Sequence, residues 1–199
     1  MRGKFAHGAM PLYVASQLNG LLNNISAYWK LDESSAGNNR IDSTGNGYTL
    51  YDVESDVSSS AGVINNCANN VLCTYGLESS SCISGTEMSV SIWINDANVG
   101  INQVYYQSYD FSIYWVGSAW DVTVYTDQDR YFVDANVDPT SGWHNIVATR
   151  SYNQMDGGGT LSIYLDGFLE ASTSYIGYLI TPGWGNVFNV GNGSSSGSG

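Results

Sequence analysis

Alternation of apolar and polar residues is the feature of this sequence that most constrains its fold. From Tyr28 onward the alternation has a period of two, which places every second side chain on the same face of a β-strand. Turn-forming residues separate the segments, including Asp166-Gly167, a two-residue hairpin signal. The alternating segments are MSVSIWI (88–94), FSIYWV (111–116), WDVTVY (120–125), WHNIVATR (143–150) and TLSIYL (160–165). Several short strands with turns between them predict an all-β sandwich of two antiparallel sheets.

The two ends of the chain follow other patterns. After Pro11, the apolar residues Val14, Leu18, Leu21 and Ile25 recur at spacings of three and four, which predicts a short amphipathic helix. We therefore expect residues 1–26 to form a helical or extended arm that packs on its own domain or docks on a neighbour. Residues 193–199 have the Ser/Gly composition of a flexible linker. The predicted folded domain is then 27–192.

The charge of the chain excludes some classes of partner. Six Lys and Arg residues stand against 18 Asp and Glu residues, which gives a net charge of −12, and residues 41–129 contain no basic residue. Nucleic-acid surfaces and anionic membrane surfaces both need clustered Lys and Arg. No apolar run is long enough to predict insertion into a membrane. Sugars, other proteins and cations remain as partners.

The three cysteines, Cys67, Cys73 and Cys82, lie close together in polar sequence. They form no CxxC motif and have no neighbouring histidine, so the sequence does not predict a zinc site. One disulfide with a free thiol and three free thiols are both compatible with this spacing.

Candidate catalytic groups are few. Retaining glycosidases need two carboxylates about 5–5.5 Å apart. Of the five glutamates, only Glu54 has a second acid two residues further on, Asp56, and this pair lies in a Ser-rich stretch typical of a loop. The histidines are His7 and His144, and no nucleophile-elbow motif is present. The sequence therefore predicts a protein without catalytic activity.

Several motifs of the chain resemble, in order and spacing, the laminin-G-like jelly rolls of the concanavalin A-like superfamily. They are AYWKLDE (27–33) with DSTGNGYTL (42–50), SVSIWI (89–94), SGWHNIVATRS (141–151), GTLSIYLDGFLEAS (159–172) and FNVGN (188–192). The resemblance implies a two-sheet antiparallel jelly roll. Proteins that resemble this one occur in phage virions and on bacterial surfaces, so it also implies an extracellular or virion location.

A calcium site is a second implication of the resemblance, because acidic groups near the first strand can hold a structural calcium in that family. The candidate ligands are Asp32, Glu33, Asp42 and Asn46, around an acidic, glycine-bearing loop at 42–47. Calcium takes six to eight oxygen ligands from such groups. The same Asp and Asn side chains also form Asx turns without any metal.

A glycan-binding site is predicted where aromatic residues flank one turn. The candidates are Tyr114, Trp115 and Trp120, with Asp121 beside them. Flat aromatic faces stack on the apolar faces of sugars, but aromatic side chains also fill the cores of sandwiches. Alternation places one of Tyr114 and Trp115 inward and the other outward.

An open sheet edge is predicted from what the chain lacks. The resembled family ends on a closing strand beside its first strand, and no such strand follows Asn192. A first strand at 27–31 would then expose unpaired backbone groups, which proteins usually cover. The arm or a strand from another subunit would cover it. We therefore expect Val14, Leu18, Leu21 and Ile25 to be buried in an assembly.

Two functions follow as expectations. The first is a non-catalytic structural or adhesion β-sandwich of a virion or other extracellular assembly, a fibre, decoration or spacer protein whose partners are other copies or other proteins of the assembly. The alternative is a glycan-binding, lectin-like module. A glycoside hydrolase of the same superfamily agrees less well with the few carboxylates.

Overall fold

β-Strands make up the regular structure of this protein wherever the structure describes the chain. The computed structural model describes residues 24–69, 76–79, 81–83, 85–95, 103–116, 119–136, 142–155, 157–180 and 187–191. These residues contain strands and no helix, which confirms the all-β prediction. No helix that could cross a membrane occurs in this part of the chain. The predicted arm residues Val14, Leu18 and Leu21 lie outside it.

The described residues form thirteen strands, which have three or four residues before residue 87 and five or more after it, except for the two-residue β13. They are β1 (Leu50–Asp52), β2 (Ser58–Ala61), β3 (Asn66–Asn69), β4 (Leu77–Ser79), β5 (Met88–Asn95), β6 (Gln103–Gln107), β7 (Phe111–Val116), β8 (Ala119–Tyr125), β9 (Arg130–Ala135), β10 (Trp143–Asn153), β11 (Gly158–Leu165), β12 (Phe168–Ile176) and β13 (Asn189–Val190).

Two antiparallel sheets build the sandwich, as the alternation predicted. The larger has the strand order β1-β4-β13-β6-β7-β8-β9, and the smaller has the order β12-β11-β10-β5. Strands β2 and β3 form a separate hairpin. The late strand β13 lies between β4 and β6, so the end of the domain is joined to its beginning. This non-sequential order gives the jelly-roll arrangement.

The core lies between the sheets and is made by alternate residues of each strand. Strands β7 and β8 contribute Phe111, Ile113, Trp115, Trp120, Val122 and Val124, and the smaller sheet contributes Ile146, Ala148, Leu161 and Ile163. Each of these side chains is almost completely buried. Burial of this apolar area, worth about 25 cal/mol per Å², stabilises the pairing of the sheets.

The turn at Asp166-Gly167 forms the predicted hairpin. Both residues have positive φ angles, 50° and 87°, and they join β11 to β12 through the Leu165–Phe168 pair. Two consecutive positive φ angles are the requirement of a type I′ turn, which Asp-Gly satisfies with little strain.

Residues 27–31 form no strand, so the prediction of a first strand there is wrong. The Tyr28 carbonyl accepts a hydrogen bond from the Ser43 amide at 2.7 Å, and the Tyr28 amide donates to the Asp42 side chain. The Trp29 ring packs on Phe188 with centroids 5.4 Å apart. Because a loop uses the backbone groups of Tyr28, this segment lies outside the sheet ladder, and β1 is the first strand.

The described cysteines are free thiols. Cys67 Sγ lies 3.1 Å from Ser60 Oγ, and Cys82 Sγ lies 3.4 Å from the Ile83 carbonyl oxygen. Cys73 lies outside the described residues. Of the two thiol arrangements compatible with the sequence, Cys67 and Cys82 follow the one without a disulfide.

Candidate functional site

The predicted glycan-binding residues divide between the two faces of the larger sheet. Trp115 and Trp120 face inward, are 2% and 1% exposed, and meet edge to face with ring centroids 5.2 Å apart. Their rings cannot reach a sugar, so their assignment to a glycan site is wrong. The alternation that buries Trp115 directs its neighbour Tyr114 to the outer face, as predicted for one of the two.

Tyr114 and Asp121 are brought together on that outer face. They are direct cross-strand neighbours on β7 and β8, and Asp134 on β9 pairs opposite Asp121. Residues with the same alternation on β9 add Arg130 and Phe132 to the same surface. We define the outer-face cluster as Tyr114, Asp121, Tyr125, Arg130, Phe132 and Asp134.

An ion pair lies at the centre of the outer-face cluster. Arg130 Nη2 is 3.2 Å from Asp121 Oδ2, and the Asp121 side chain is 9% exposed while that of Arg130 is 45% exposed. Thr123 also donates a hydrogen bond to Asp121. The Arg130 guanidinium lies 5.3 Å from the centre of the Phe132 ring, within cation–π range. The pair therefore holds the arginine in place while leaving part of it open to solvent.

Burial and neighbouring charges shift the pKa values of two ionisable groups of the cluster. Burial, together with the negative charge of Asp121, raises the pKa of Asp134 above its ordinary value, although Arg130 opposes this. Burial also raises the pKa of the Tyr114 hydroxyl, against a hydrogen bond with Ser112. Tyr114 is therefore a neutral hydrogen-bonding group at physiological pH, and it lies close to the negatively charged Asp121 and the positively charged Arg130.

A row of polar and aromatic side chains continues from the cluster across the whole sheet. In register order, from β1 to β9, it consists of Tyr51, Glu78, Asn189, Gln107, Ser112, Thr123 and Phe132. The two end residues are the most open, with Tyr51 42% and Phe132 50% exposed. Seven strands spaced about 4.8 Å apart make a row about 29 Å long. Ser112 and Thr123, toward the β9 end of the row, are completely buried, so the row does not form a continuous open surface.

Sequence reasoning missed Arg130, Phe132 and Asp134. Their signal is the alternation in RYFVDA, which follows β8 after a four-residue turn and so predicts pairing with β8. The consequence that these residues meet Tyr114 needs the register of three strands. In that register the cluster presents an aromatic surface together with carboxylates, a guanidinium and a phenol. The polar groups can donate hydrogen bonds to a ligand and accept hydrogen bonds from it.

The loop that was predicted to bind calcium is organised by hydrogen bonds to Asp42. Its carboxylate accepts from the backbone amides of Tyr28, Thr44 and Tyr48 and from the Thr44 hydroxyl, at 2.7–3.3 Å. Burial tends to raise the pKa of Asp42, but these hydrogen bonds outweigh it and hold the pKa below its usual value. The Asn46 amide nitrogen donates to the Ser26 carbonyl at 3.0 Å. The loop thus forms an Asx-type turn.

The other two predicted calcium ligands have different partners. Glu33 Oε2 lies 3.3 Å from Arg40 Nε, and the Asp32 carbonyl accepts from Asn66. Within the described ranges no three His, Cys, Asp or Glu side chains converge on a common point that could hold a metal. Asp42 and Asn46 are therefore the two candidates that the fold brings into one loop, and calcium binding there stays a prediction.

A groove of about 360 Å³ lies beside the glycines at 157–159, between the ends of β10, β11 and β12. A Cβ atom on Gly159 would lie 2.0 Å from the Ser151 carbonyl oxygen and 2.8 Å from the Tyr175 hydroxyl. The Tyr175 hydroxyl donates to that same carbonyl at 2.7 Å. The glycines are explained by the close approach of three strands, so this groove does not provide a site.

Comparison with solved structures supports the fold. The binding domain of Paraclostridial Mosquitocidal Protein 1 superposes with a TM-score of 0.67 at 13% identity, covering 86% of this chain and 45% of that chain. A mutant of HCR/D superposes with a TM-score of 0.53 at 14% identity, covering 84% and 44%. The chain thus spans less than half the length of these proteins. No curated protein matches the sequence.

Comparison with family models agrees with the motif order. Residues 74–199, more than half of the chain, match the Laminin_G_3 model, which is described as the concanavalin A-like lectin/glucanases superfamily. The match begins within the cysteine-bearing region and includes β4 to β13. The sandwich, its jelly-roll strand order and this match together show that the chain belongs to the concanavalin A-like lectin/glucanases superfamily.

Proposed function

We propose that the protein is a non-catalytic carbohydrate-binding domain whose site is the outer-face cluster. The observation that carries this proposal is the register that sets Tyr114, Asp121 and Asp134 side by side, with Arg130 and Phe132 beside them. The resemblance in fold to a domain that is itself called a binding domain agrees with this role.

The chemistry of the cluster matches that of a sugar ring. Sugars present apolar C–H faces and rings of hydroxyl groups, and the half-exposed Phe132 provides an apolar surface for the first. Asp134, Arg130 and the Tyr114 hydroxyl provide acceptors and donors for the second. Because Ser112 and Thr123 interrupt the row toward Tyr51, the cluster itself is the surface that we propose contacts the sugar.

Neutral glycans are the preferred class. The chain carries a net charge of −12, and the single guanidinium of the cluster is already paired with Asp121. An acidic sugar would meet Asp134 and Asp121 before it met a free cation. Electrostatics therefore disfavours uronic and sialic acids and leaves hydroxyl recognition as the main polar interaction.

The non-catalytic part of the proposal rests on Asp121. A glycosidase needs one free nucleophilic or basic carboxylate and one acid. Asp121 is held by Arg130 and Thr123, so its lone pairs are directed at protein groups. An extracellular or virion location belongs to the same proposal, because a domain that binds neutral oligosaccharides would meet them on cell surfaces and in secreted polymers.

The test is binding to an array of neutral oligosaccharides, followed by calorimetry on the best ligand. Phe132→Ala should weaken binding about two- to tenfold, since an aromatic contact is worth about 0.5–1.5 kcal/mol. Phe168→Ala is the matched control, because Phe168 is 74% exposed on the smaller sheet. Equal binding by both variants, or no ligand on the array, would contradict the proposal. Unchanged oligosaccharide length after incubation is the expected result for a non-enzyme.

A second candidate function is a fibre, decoration or spacer protein of a virion or other extracellular assembly. The observation that favours it is the exposure of large apolar side chains on the smaller sheet, with Trp93 59% and Leu169 57% exposed. Several exposed apolar groups on one sheet are typical of contact surfaces. Recovery of the protein in purified particles would favour this role, and its absence from them would count against it.

A further inference from the structure

Strand β5 is a long edge strand with one free side. Its residues pair with β10 from Met88 opposite Arg150 to Asn95 opposite Trp143. In the described part of the chain, no strand pairs with its other side. Edge strands usually carry a charge, a proline or a bulge that prevents further pairing. The sequence of β5, MSVSIWIN, has no charged residue and no proline, and its pairing with β10 is regular.

The core beneath β5 is also incomplete. Three of its four inward residues, Met88, Val90 and Ile92, are only partly buried, although they pack against the core, while Ile94 near its end is 6% exposed. The adjacent inward residues of β10, Ile146 and Ala148, are 1% and 0% exposed. From Met88 to Ile92 burial therefore falls over one strand spacing, as expected when no neighbouring strand covers that side.

The opposite edge of the same sheet does not share these features. Strand β12 contains a register shift near Leu169 and carries Glu170. Just beyond it, a bridge between Thr126 and Leu179 ties the segment that follows β12 to the larger sheet. Tyr175 on β12 also contacts Tyr131 on β9, with ring centroids 6.2 Å apart. The two sheets are thus closed on the β12 side and open on the β5 side.

We propose that the free edge of β5 is a strand-addition site, and that residues 12–16 of the same molecule occupy it. Strand addition uses the unpaired backbone groups of an edge and buries alternate side chains. Residues 12–16 read LYVAS and follow Pro11, which is tolerated at the start of a strand. The chain has no Asp, Glu, Lys or Arg from Phe5 to Trp29, so this segment introduces no charge into the core.

Other stretches outside the described ranges suit the site less well. The internal stretches, such as 96–102 and 137–141, are short and held at both ends by described strands or turns. Residues 192–199 contain only Asn, Gly and Ser, and so have no apolar side chain to cover Met88 and Val90. Residues 1–23 offer both sufficient length and, at 12–15, an uncharged apolar run.

Two observations favour the same molecule as the source. The described chain begins at Asn24, and Asn46 donates to the Ser26 carbonyl at 3.0 Å. Trp29 then packs on Phe188, which precedes β13, and β13 lies in the half of the larger sheet that is remote from β9. Because β9 lies at the closed β12 side, the described chain begins near the side where β5 is free.

The core-facing side of β5 determines which side chains of residues 12–16 would be buried. The inward residues of β5 are aliphatic or thioether side chains, so the aliphatic pair Leu12 and Val14 would lie beside them over the core, and Tyr13 and Ala15 would lie beside the outward serines. This arrangement differs from the helix predicted for 12–25, which would bury Val14, Leu18, Leu21 and Ile25 on one stripe. In the proposed strand Val14 is buried and Ala15 is not. Substitutions at these two positions therefore distinguish strand addition from other arrangements of the segment.

The test is amide hydrogen exchange of β5 in the full chain, read for the amides that point away from β10. We expect these amides to exchange slowly, and Val14→Asp to accelerate them at least about tenfold. Ala15→Asp is the matched control and should leave them protected. A synthetic peptide of residues 9–20, added in excess to the full Val14→Asp chain, should restore the protection.

Three results would overturn the proposal. Fast exchange in the unmodified chain would mean that the edge is free. Protection that survives Val14→Asp would mean that another segment covers the edge. Protection that falls on dilution, together with a molar mass above that of one chain in light scattering, would assign the added strand to a second copy.

Discussion

At the scale of single residues, acidic side chains in this protein are satisfied mainly by backbone amides. The chain has six basic residues for 18 acids, so few carboxylates can find a cation. Asp42 accepts from three amides, and Asp52 accepts from the Gly37 amide at 2.8 Å and the Asp56 amide at 3.1 Å. Asp127 accepts from the Tyr178 amide at 2.8 Å. These acids hold the irregular segments of the fold in shape, which accounts for part of the acidic composition.

Asp166 should make stability depend on pH in the acid range. Hydrogen bonds from the Asn145 amide and from His144 hold the pKa of Asp166 below its usual value. A carboxyl with a lowered folded-state pKa stabilises the protein above its unfolded pKa of about 3.9 and loses that contribution as pH falls through the folded value. Asp166→Asn should therefore lower the melting temperature at neutral pH and make little difference in strong acid, below both pKa values. Thermal melts across this range measure it.

Glu170→Gln is the control for that measurement, because Glu170 is an exposed carboxyl in the same hairpin. Its melting temperature should follow that of the unmodified protein at every pH. A difference between Asp166→Asn and the unmodified protein that stayed constant into strong acid would show that the carboxylate charge is not involved.

At the scale of elements, the strands of the larger sheet have two faces with different tasks. On β7 and β8 the inner face carries apolar core residues, while the outer face buries Ser112 and Thr123 completely and places Asp121 among them. A strand that is buried on both faces usually carries few charged groups. Asp121 on β8 is an exception, and Arg130 neutralises its charge. The functional proposal depends on this outer face.

Gly159→Ala tests the close approach of β10, β11 and β12. A Cβ atom there would meet the Ser151 carbonyl, which is backbone and cannot move away without disturbing the ladder. Overpacking of this kind costs about 1–3 kcal/mol. We expect the free energy of unfolding, measured with denaturant, to fall by that amount.

Gly45→Ala provides the comparison for this substitution. Gly45 has a φ angle of 84°, and no atom lies within 4 Å of the point that a Cβ would occupy. Only backbone strain of about 1 kcal/mol is therefore expected. A loss for Gly159→Ala no larger than that for Gly45→Ala would contradict the steric explanation.

The loop at 42–47 carries the calcium prediction. If the loop binds calcium, a chelator should lower the melting temperature, because a ligand bound only to the folded state stabilises it. Asp42→Ala should abolish this response and also destabilise the protein by about 1–3 kcal/mol, since three amides lose their acceptor. If neither chelator nor added calcium changed the melting temperature, the calcium prediction would be wrong, and the role of Asp42 would be to accept hydrogen bonds in the loop.

At the scale of the whole molecule, a buried ion pair ties the two sheets together. Arg150 on β10 of the smaller sheet lies 2.8 Å from Asp110, just before β7 of the larger sheet, and the arginine side chain is 0% exposed. Arg150 also donates to the Gly85 carbonyl and lies 5.6 Å from the centre of the Phe111 ring. One side chain thus joins both sheets and the segment that leads into β5.

Arg150→Met should destabilise the protein by about 3–5 kcal/mol, because it leaves the Asp110 carboxylate buried without its partner. Asp110→Asn with Arg150→Met should recover part of the loss, since no unpaired buried charge remains. Lys30→Met is the control, because Lys30 is exposed, and we expect it to unfold at the same denaturant concentration as the unmodified chain. Equal stability of the single and double variants would argue against a charge effect.

The sequence by itself determined the class of the fold. Alternation placed β5, β7, β8, β10 and β11, and Asp166-Gly167 marked the hairpin, because side-chain period and turn preference are local properties of the chain. The order of the motifs indicated the superfamily that the family match shows. The same local reasoning failed at 27–31, where hydrogen bonds with a distant loop take the backbone groups that a strand would need.

Only the tertiary structure decided which face of each strand is functional. Alternation divides Tyr114 from Trp115 without stating which of them faces the core, since a period of two is unchanged when the faces are exchanged. The opposing sheet made that choice and buried Trp115 and Trp120. The partners of Tyr114 on β9, namely Arg130, Phe132 and Asp134, follow from a register across three strands, and register is a property of paired strands that no single segment contains.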